Sequence, residues 1–251
     1  MRSFVRAMFL AALVLLAAGT CAYAQSGAGA PHLNISLPSS KKPEDMSMAF
    51  QIMGLLTVLA VAPAILMMMT SFSRIVIVLG LTRSALGTQQ IPPNQVLMGL
   101  SLCLTFFTMQ PTLSEINDAA LQPYLAKKMP VEVAAQNSLP PMRRFMLKQT
   151  READLALFVE LSHSPQPRIA KDVPTFVIIP AFIISELRTA FTMGFIIFLP
   201  FLVIDLVVSM ILMSMGMLMM PPMLISLPFK ILLFVMVDGW HLLARALALS
   251  F

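Results

Sequence analysis

Apolar residues in this chain gather into long runs and do not alternate with polar ones. The runs cover residues 49–69, 75–81, 96–109, 182–199, 201–220 and 229–251. A helix needs about 20 apolar residues to cross a bilayer, so 49–69 is long enough to span, with Pro63 as an internal break. The run 96–109, closed by Pro111, is short and reads as a tilted, re-entrant or protein-buried helix. Pro180, Pro200, Pro221, Pro222 and Pro228 cut the apolar C-terminal stretch into its segments. No period-2 pattern and no fixed-length repeat occurs. The expected fold class is all-α: membrane-protein-like helical hairpins broken by prolines.

The interruptions of this pattern divide the chain. Residues 1–24 read as a cleaved signal peptide, with Arg2 and Arg6 ahead of a short apolar core and Ala22-Tyr23-Ala24 fitting the small-x-small cleavage rule. Residues 25–48 form a flexible polar lead-in, 49–111 the N-terminal hydrophobic helices, 112–172 a helical extramembrane region, and 173–251 the C-terminal hydrophobic helices. Within 112–172 acidic and basic residues nearly balance, and Pro140-Pro141 is placed to start a helix. Its apolar stripe is Phe145, Leu155, Phe158 and Leu161, with Arg151 and Glu152 turned outward. The leader puts the mature N-terminus across the membrane. Arg74 and Arg83 flank the first turn and place it in the cytoplasm, so 112–172 is expected to be periplasmic.

Composition agrees with a membrane protein. The chain is 58% hydrophobic and 12% charged, about half the ~25% of soluble domains, and its mean hydropathy is +0.83. The net charge of +5 is scattered, and with no basic patch interleaved with aromatics, nucleic acid is excluded as a partner. With Cys21 in the leader, the mature chain keeps the single thiol of Cys103 and no internal disulfide. Cys103 sits in an apolar run and reads as a small buried hydrophobe. His32, His163 and His241 form no metal-ligand spacing, and no hydrolase, nucleotide-binding or dinucleotide fingerprint occurs. No enzyme, metal or cofactor is expected.

The charges inside the apolar runs are the candidate chemistry: Arg74, Glu186, Arg188, Asp205, Lys230, Asp238 and Arg245. Ionisable groups in apolar helices are costly and face protein or water with a partner. Glu186 and Arg188, two apart, point to different faces and seek partners from other segments or other copies. Asp238 and Arg245, seven apart, share a face and can bridge to neighbouring chains. Structural ion pairs knitting an assembly are the preferred reading. A proton or ion path, and with it an ion- or solute-coupled transporter using Glu186, Arg188 and Asp205, is the alternative. An intramembrane aspartyl pair of Asp205 and Asp238 has no supporting sequence context.

The densest local feature is residues 210–223, MILMSMGMLMMPPM, with Gly216 inside and Pro221-Pro222 near its end. Methionine is flexible and polarizable and suits surfaces that repack against changing neighbours. At about 100° per residue, Met210, Met213, Met217 and Met220 share one helix face while Met215 and Met219 point nearly opposite, so one partner stripe does not account for the cluster. Two readings stand: a lipid-facing or core segment, or a soft lining at a constriction.

The run PAFIISELRTAFTMGF at 180–195 resembles the signature of the FliP/SctR family, the P components of the export gate in flagellar and virulence type III secretion. PFLVID (200–205), LPFK (227–230), VDGW (237–240), TSFSRIVIVLGLTR (70–83) and KQTREADLALF (148–158) agree with it. The resemblance covers about residues 50–251, and QTREAD with the leader resembles the flagellar branch. Thr192 departs from the pattern, which usually has a charged residue or Gln there. The resemblance implies that several copies assemble with Q and R partners into a closed, helically arranged ring, a non-enzymatic core of the export apparatus. That core sits in the flagellar basal body at the bacterial inner membrane, and unfolded flagellar subunits pass through it. The resemblance also implies that helices scoring as spans sit largely against other subunits, above the bilayer plane. It further implies a methionine loop lining the narrowest point as a gasket. Met217, Leu218, Met219 and Met220 match that loop, with Met213 and Met215 nearby. Met210 and Met223 are then packing residues.

Overall fold

The computed structural model describes residues 52–54, 56–57, 59–61, 64–65, 67–88, 90–162, 172–217 and 220–251. The expected leader and lead-in, His32, His163, Leu218 and Met219 lie outside the described residues. The chain divides into two compact units, Met1–Thr57 and Val58–Phe251. In the first, residues 52–54 and 56–57 are helical, and the Thr57 hydroxyl donates to the Met53 carbonyl at 2.8 Å.

The second unit is a bundle of helices. They are α1 (Phe72–Ala85), α2 (Asn94–Ile116), a single π-helical turn (Asn117–Leu121), α3 (Gln122–Leu125), α4 (Val131–Gln149), α5 (Glu152–Leu161), α6 (Thr175–Ser214), α7 (Pro222–Met236) and α8 (Gly239–Leu249). All regular structure among the described residues is helical, as the apolar runs without alternation require.

Helix α6 is the axis, and α1, α4, α5 and α7 all pack on it. Its 40 residues extend about 60 Å at 1.5 Å per residue. Pro180 and Pro200 lie inside it, so the expected breaks at these positions do not occur. Each proline removes one N–H donor, a loss that a helix packed among neighbours tolerates. The packed face of α6 is built from small residues around one large ring: Ala181, Phe182, Ser185, Ala190 and Gly194. Small side chains let α1 come close. A Cβ at Gly194 would overlap the Leu81 side chain of α1, which is why glycine stands there. From α1, Arg74, Ile75, Val78, Leu79 and Thr82 point inward, the 3–4 spacing of one helix face.

Other proline expectations are also corrected. Pro111 lies within α2 and does not close it. The helical stretch Asn94–Leu125 runs 32 residues, so it is not short. Pro140 and Pro141 lie inside α4, which starts after Pro130 with Glu132 in its first turn. The helix pattern over 142–161 is split at Thr150-Arg151, both in extended backbone. Phe145, Leu155 and Phe158 join one core cluster. Leu161 is 61% exposed, because it falls on the last turn of the separate helix α5. Arg151 and Glu152 are exposed as expected. Cys103 is exposed, because the inward face of α2 is taken by Leu97, Ser101, Thr105 and Met109.

By length and composition, Asn94–Leu125 and Thr175–Ser214 can each cross a membrane. Helices α7 and α8 make a third candidate span bent by 62°.

Candidate functional site: two buried ion pairs and a methionine loop

Arg74 is 2% exposed and Glu186 fully buried. The guanidinium grips the carboxylate with two parallel bonds, Nε to Oε2 at 2.8 Å and Nη2 to Oε1 at 2.5 Å. The planar fork of arginine matches a carboxylate in this way and lysine does not. The remaining N–H groups are also used. Nη1 donates to the Ser250 carbonyl at 2.7 Å and its hydroxyl at 3.0 Å, and Nη2 donates to Gln149 Oε1 at 3.2 Å. The ring of Phe251 lies 4.0 Å beneath the guanidinium carbon. Beside this centre, Ser185 accepts from the Arg151 amide at 2.9 Å, so the α4–α5 corner is fastened to α6. One arginine thus joins α1, α4, α6 and the residues after α8.

The second pair fastens α7 to α6. Lys230 Nζ donates to Asp205 Oδ2 at 2.6 Å and to the Ala85 carbonyl at 3.3 Å, while Ser226 donates to Asp205 Oδ1 at 2.6 Å. Lys230 is buried, whereas the Asp205 side chain is 39% exposed. Ala85 ends α1, where carbonyls are left over and the helix dipole is negative, so a buried ammonium suits the place.

The other singled-out charges are not brought together. Arg188, Asp238 and Arg245 are exposed and take part in no ion pair among the described residues. Thr192 spends its hydroxyl on the Arg188 carbonyl of its own helix, at 2.9 Å. No three His, Cys, Asp or Glu side chains among the described residues approach as metal ligands do.

The methionine stretch is a loop at the tip of the α6–α7 hairpin. Helix α6 ends at Ser214, so the single-face grouping of Met210, Met213, Met217 and Met220 does not hold. Gly216 adopts φ +75°, the left-handed conformation that costs other residues energy. Met217 N–H bonds to the Leu212 carbonyl at 3.0 Å and Gly216 N–H to that of Met213 at 3.1 Å, the paired closure of a Schellman turn. On the far side Pro221 caps α7 and Pro222 takes its first turn, where a missing N–H is harmless. The loop is therefore short and bounded by helix-stopping residues on both sides. Met213, Met215, Met217 and Met220 leave it 60%, 66%, 37% and 45% exposed, with Met210 and Met223 also exposed. Behind the loop, Val207, Ile211, Leu212, Ile225 and Phe229 help to line an apolar groove of about 430 Å³ between α6 and α7.

Several partners in these sites carry no sequence signal. Gln149, Ser226, Ser250 and Phe251 are ordinary residue types that matter through contacts across the bundle. The cost of burying charge at Arg74, Glu186, Asp205 and Lys230 is the sequence signal that partners exist.

The FliP family pattern matches residues 55–247. The chain is 54% identical over 217 residues to the flagellar biosynthetic protein FliP of Bacillus subtilis, covering 86% of this chain and 98% of that protein. It is 52% identical over 217 residues to the FliP of Pectobacterium carotovorum (86% of this chain, 84% of that one). With the FliP of Caulobacter vibrioides it shares 50% over 242 residues (96% and 90%). The chain belongs to the FliP family.

Proposed function

We propose that this protein is a channel-forming core subunit of the flagellar type III protein export gate. Copies assemble with Q and R partners at the bacterial inner membrane and pass unfolded flagellar subunits. Residues 112–172 stand on the periplasmic side. The observation that carries the reading is the methionine loop: the exposed thioether side chains of Met213, Met215, Met217 and Met220, held at a hairpin tip by Gly216 on one side and Pro221-Pro222 on the other. Brought together around an axis by several copies, such side chains exclude water and ions at rest and repack around a passing chain. Met217, Leu218, Met219 and Met220 form this gasket, with Met213 and Met215 beside it.

Two features support an assembled state. Helix α6, about 60 Å long, is about twice the ~30 Å hydrocarbon thickness, so part of it stands clear of the bilayer. Its outer face carries Phe191, Phe195, Val203 and Met210, each more than half exposed, an apolar surface suited to neighbouring subunits. The exposed Arg188, Asp238 and Arg245 pair across subunits. An ion-coupled transporter is disfavoured, because both oxygens of Glu186 are committed to Arg74.

The test is replacement of Met217, Met219 and Met220 by alanine in cells. The gate still assembles, but the membrane leaks ions and small solutes. A variant that assembles and stays tight would overturn the gasket.

A further inference from the structure

We propose that Ser250 and Phe251 form a strap that holds α8 against the body of the bundle, with Val237–Asp238 as its hinge. The proposal does not depend on the channel reading. These two residues are bound as a small ligand would be. Arg74 Nη1 donates to the Ser250 carbonyl at 2.7 Å and hydroxyl at 3.0 Å. Lys148 Nζ and Gln149 Nε2 both donate to the Phe251 carbonyl, at 2.7 and 2.8 Å. The Phe251 ring takes the Arg74 cation on one face at 4.0 Å and stacks beside Phe145 at 6.3 Å and 21°. A charge-assisted fork, a cation–π contact and an aromatic stack thus converge on one dipeptide.

Within its own chain the helix behind this strap is otherwise lightly held. Its buried residues are Gly239, Leu243 and Leu247, and Leu242 and Leu249 are 51% and 76% exposed. Alongside it runs an open apolar groove of about 320 Å³, lined by Val78, Ile197, Phe201, Leu243 and Leu247 among others. An element with few buried residues and an open groove along its packed side opens locally at low cost. At its other end the chain bends by 62°, and Asp238 sits at φ 50° and ψ 54°, a conformation that aspartate tolerates as an isolated residue. The arm is hinged at one end and strapped at the other. Because the strap ends on Arg74, the position of α8 is tied to the pair that registers α1 on α6.

The test uses the full chain in its native membrane with Cys103→Ser, since Cys103 is exposed, and reads maleimide labelling of a single reporter thiol. Leu247→Cys reports on α8 and Val208→Cys on the α6–α7 hairpin; both positions are buried. Phe251→Ala raises labelling at 247 about tenfold, the change expected from losing one strong contact, and leaves 208 protected. Lys148→Met, at an exposed position, raises labelling at 247 by a smaller factor. Protection at 247 unchanged in both variants would overturn the strap. So would labelling at 208 that rises in step with 247, which would mean that the whole bundle had loosened.

Discussion

Arg74 and Glu186 are 112 residues apart in the chain and meet through a two-point bridge with side chains 2% and 0% exposed. Among the described residues, neither has another ion-pair partner. The contact fixes the register of α1 along α6 and, through Gln149 and Ser250, the positions of α4 and α8. In an apolar bundle such a pair adds uniqueness more than strength, since desolvating two ions offsets most of their attraction.

Replacing one member should therefore be far worse than replacing both. Glu186→Gln leaves a buried guanidinium without its counter-charge and destabilises by about 3–5 kcal/mol. The double variant Arg74→Met with Glu186→Leu, similar in volume and without charge, recovers most of that loss. Thermal unfolding of the detergent-solubilised protein, compared through a double-mutant cycle, measures the coupling. A double variant no more stable than Glu186→Gln would show that the neighbours, and not the charges, hold the register.

The second pair is asymmetric, and its two halves should not respond alike. Lys230 is buried while Asp205 is 39% exposed and keeps a bond from Ser226. Lys230→Met leaves a carboxylate that water can reach, at a cost of about 1 kcal/mol. Asp205→Ala leaves a buried ammonium with only the Ala85 carbonyl, at a cost of about 3 kcal/mol or more. Thermal melting of the two single variants gives the order. Equal costs would mean that the interior around Lys230 is wetter than its burial shows.

That Arg74, Glu186, Asp205 and Lys230 needed partners was legible, because a charge in an apolar run is expensive wherever it folds. Which residues would meet was not legible, because the contacts lie across the bundle with no local periodicity between them. Proline does not break helices here: Pro111, Pro140, Pro141, Pro180, Pro200 and Pro228 all sit within helices, where tertiary packing outweighs the loss of single hydrogen bonds. The loop end was read better. Gly216 and Pro221-Pro222 stop helices through backbone geometry of their own, and no distant contact is needed to see it. Phe251 was invisible as a site residue, since its role comes from what it lies beneath.

Gly216 offers a test of the loop's backbone that touches no methionine. Among the described residues a Cβ there meets nothing within 4 Å, so Gly216→Ala carries the left-handed backbone penalty, about 1–2 kcal/mol. The loop relieves it by opening the turn closed by Met217 N–H on the Leu212 carbonyl. Hydrogen exchange at the Met217 amide should speed by about tenfold. Gly216→Asn should do less, because asparagine visits this conformation more readily. Unchanged exchange in the alanine variant would show that this closure does not hold the loop.

Gly194 tests the opposite case, a glycine required by space. Its backbone is ordinary helix, and a Cβ there would overlap Leu81 of α1. Gly194→Ala should gain slightly in helix propensity yet lose overall, by about 1–3 kcal/mol, as α1 is pushed off the α6 face. The compensating variant Leu81→Ala, which alone leaves a void at this half-buried position, should become less harmful when combined with Gly194→Ala. The two losses then sum to more than the double variant shows, by about 1 kcal/mol or more. Thermal unfolding of the four proteins checks this. Additive losses would mean that α1 and α6 have room to separate here, and the close approach of the two helices would not be what glycine provides.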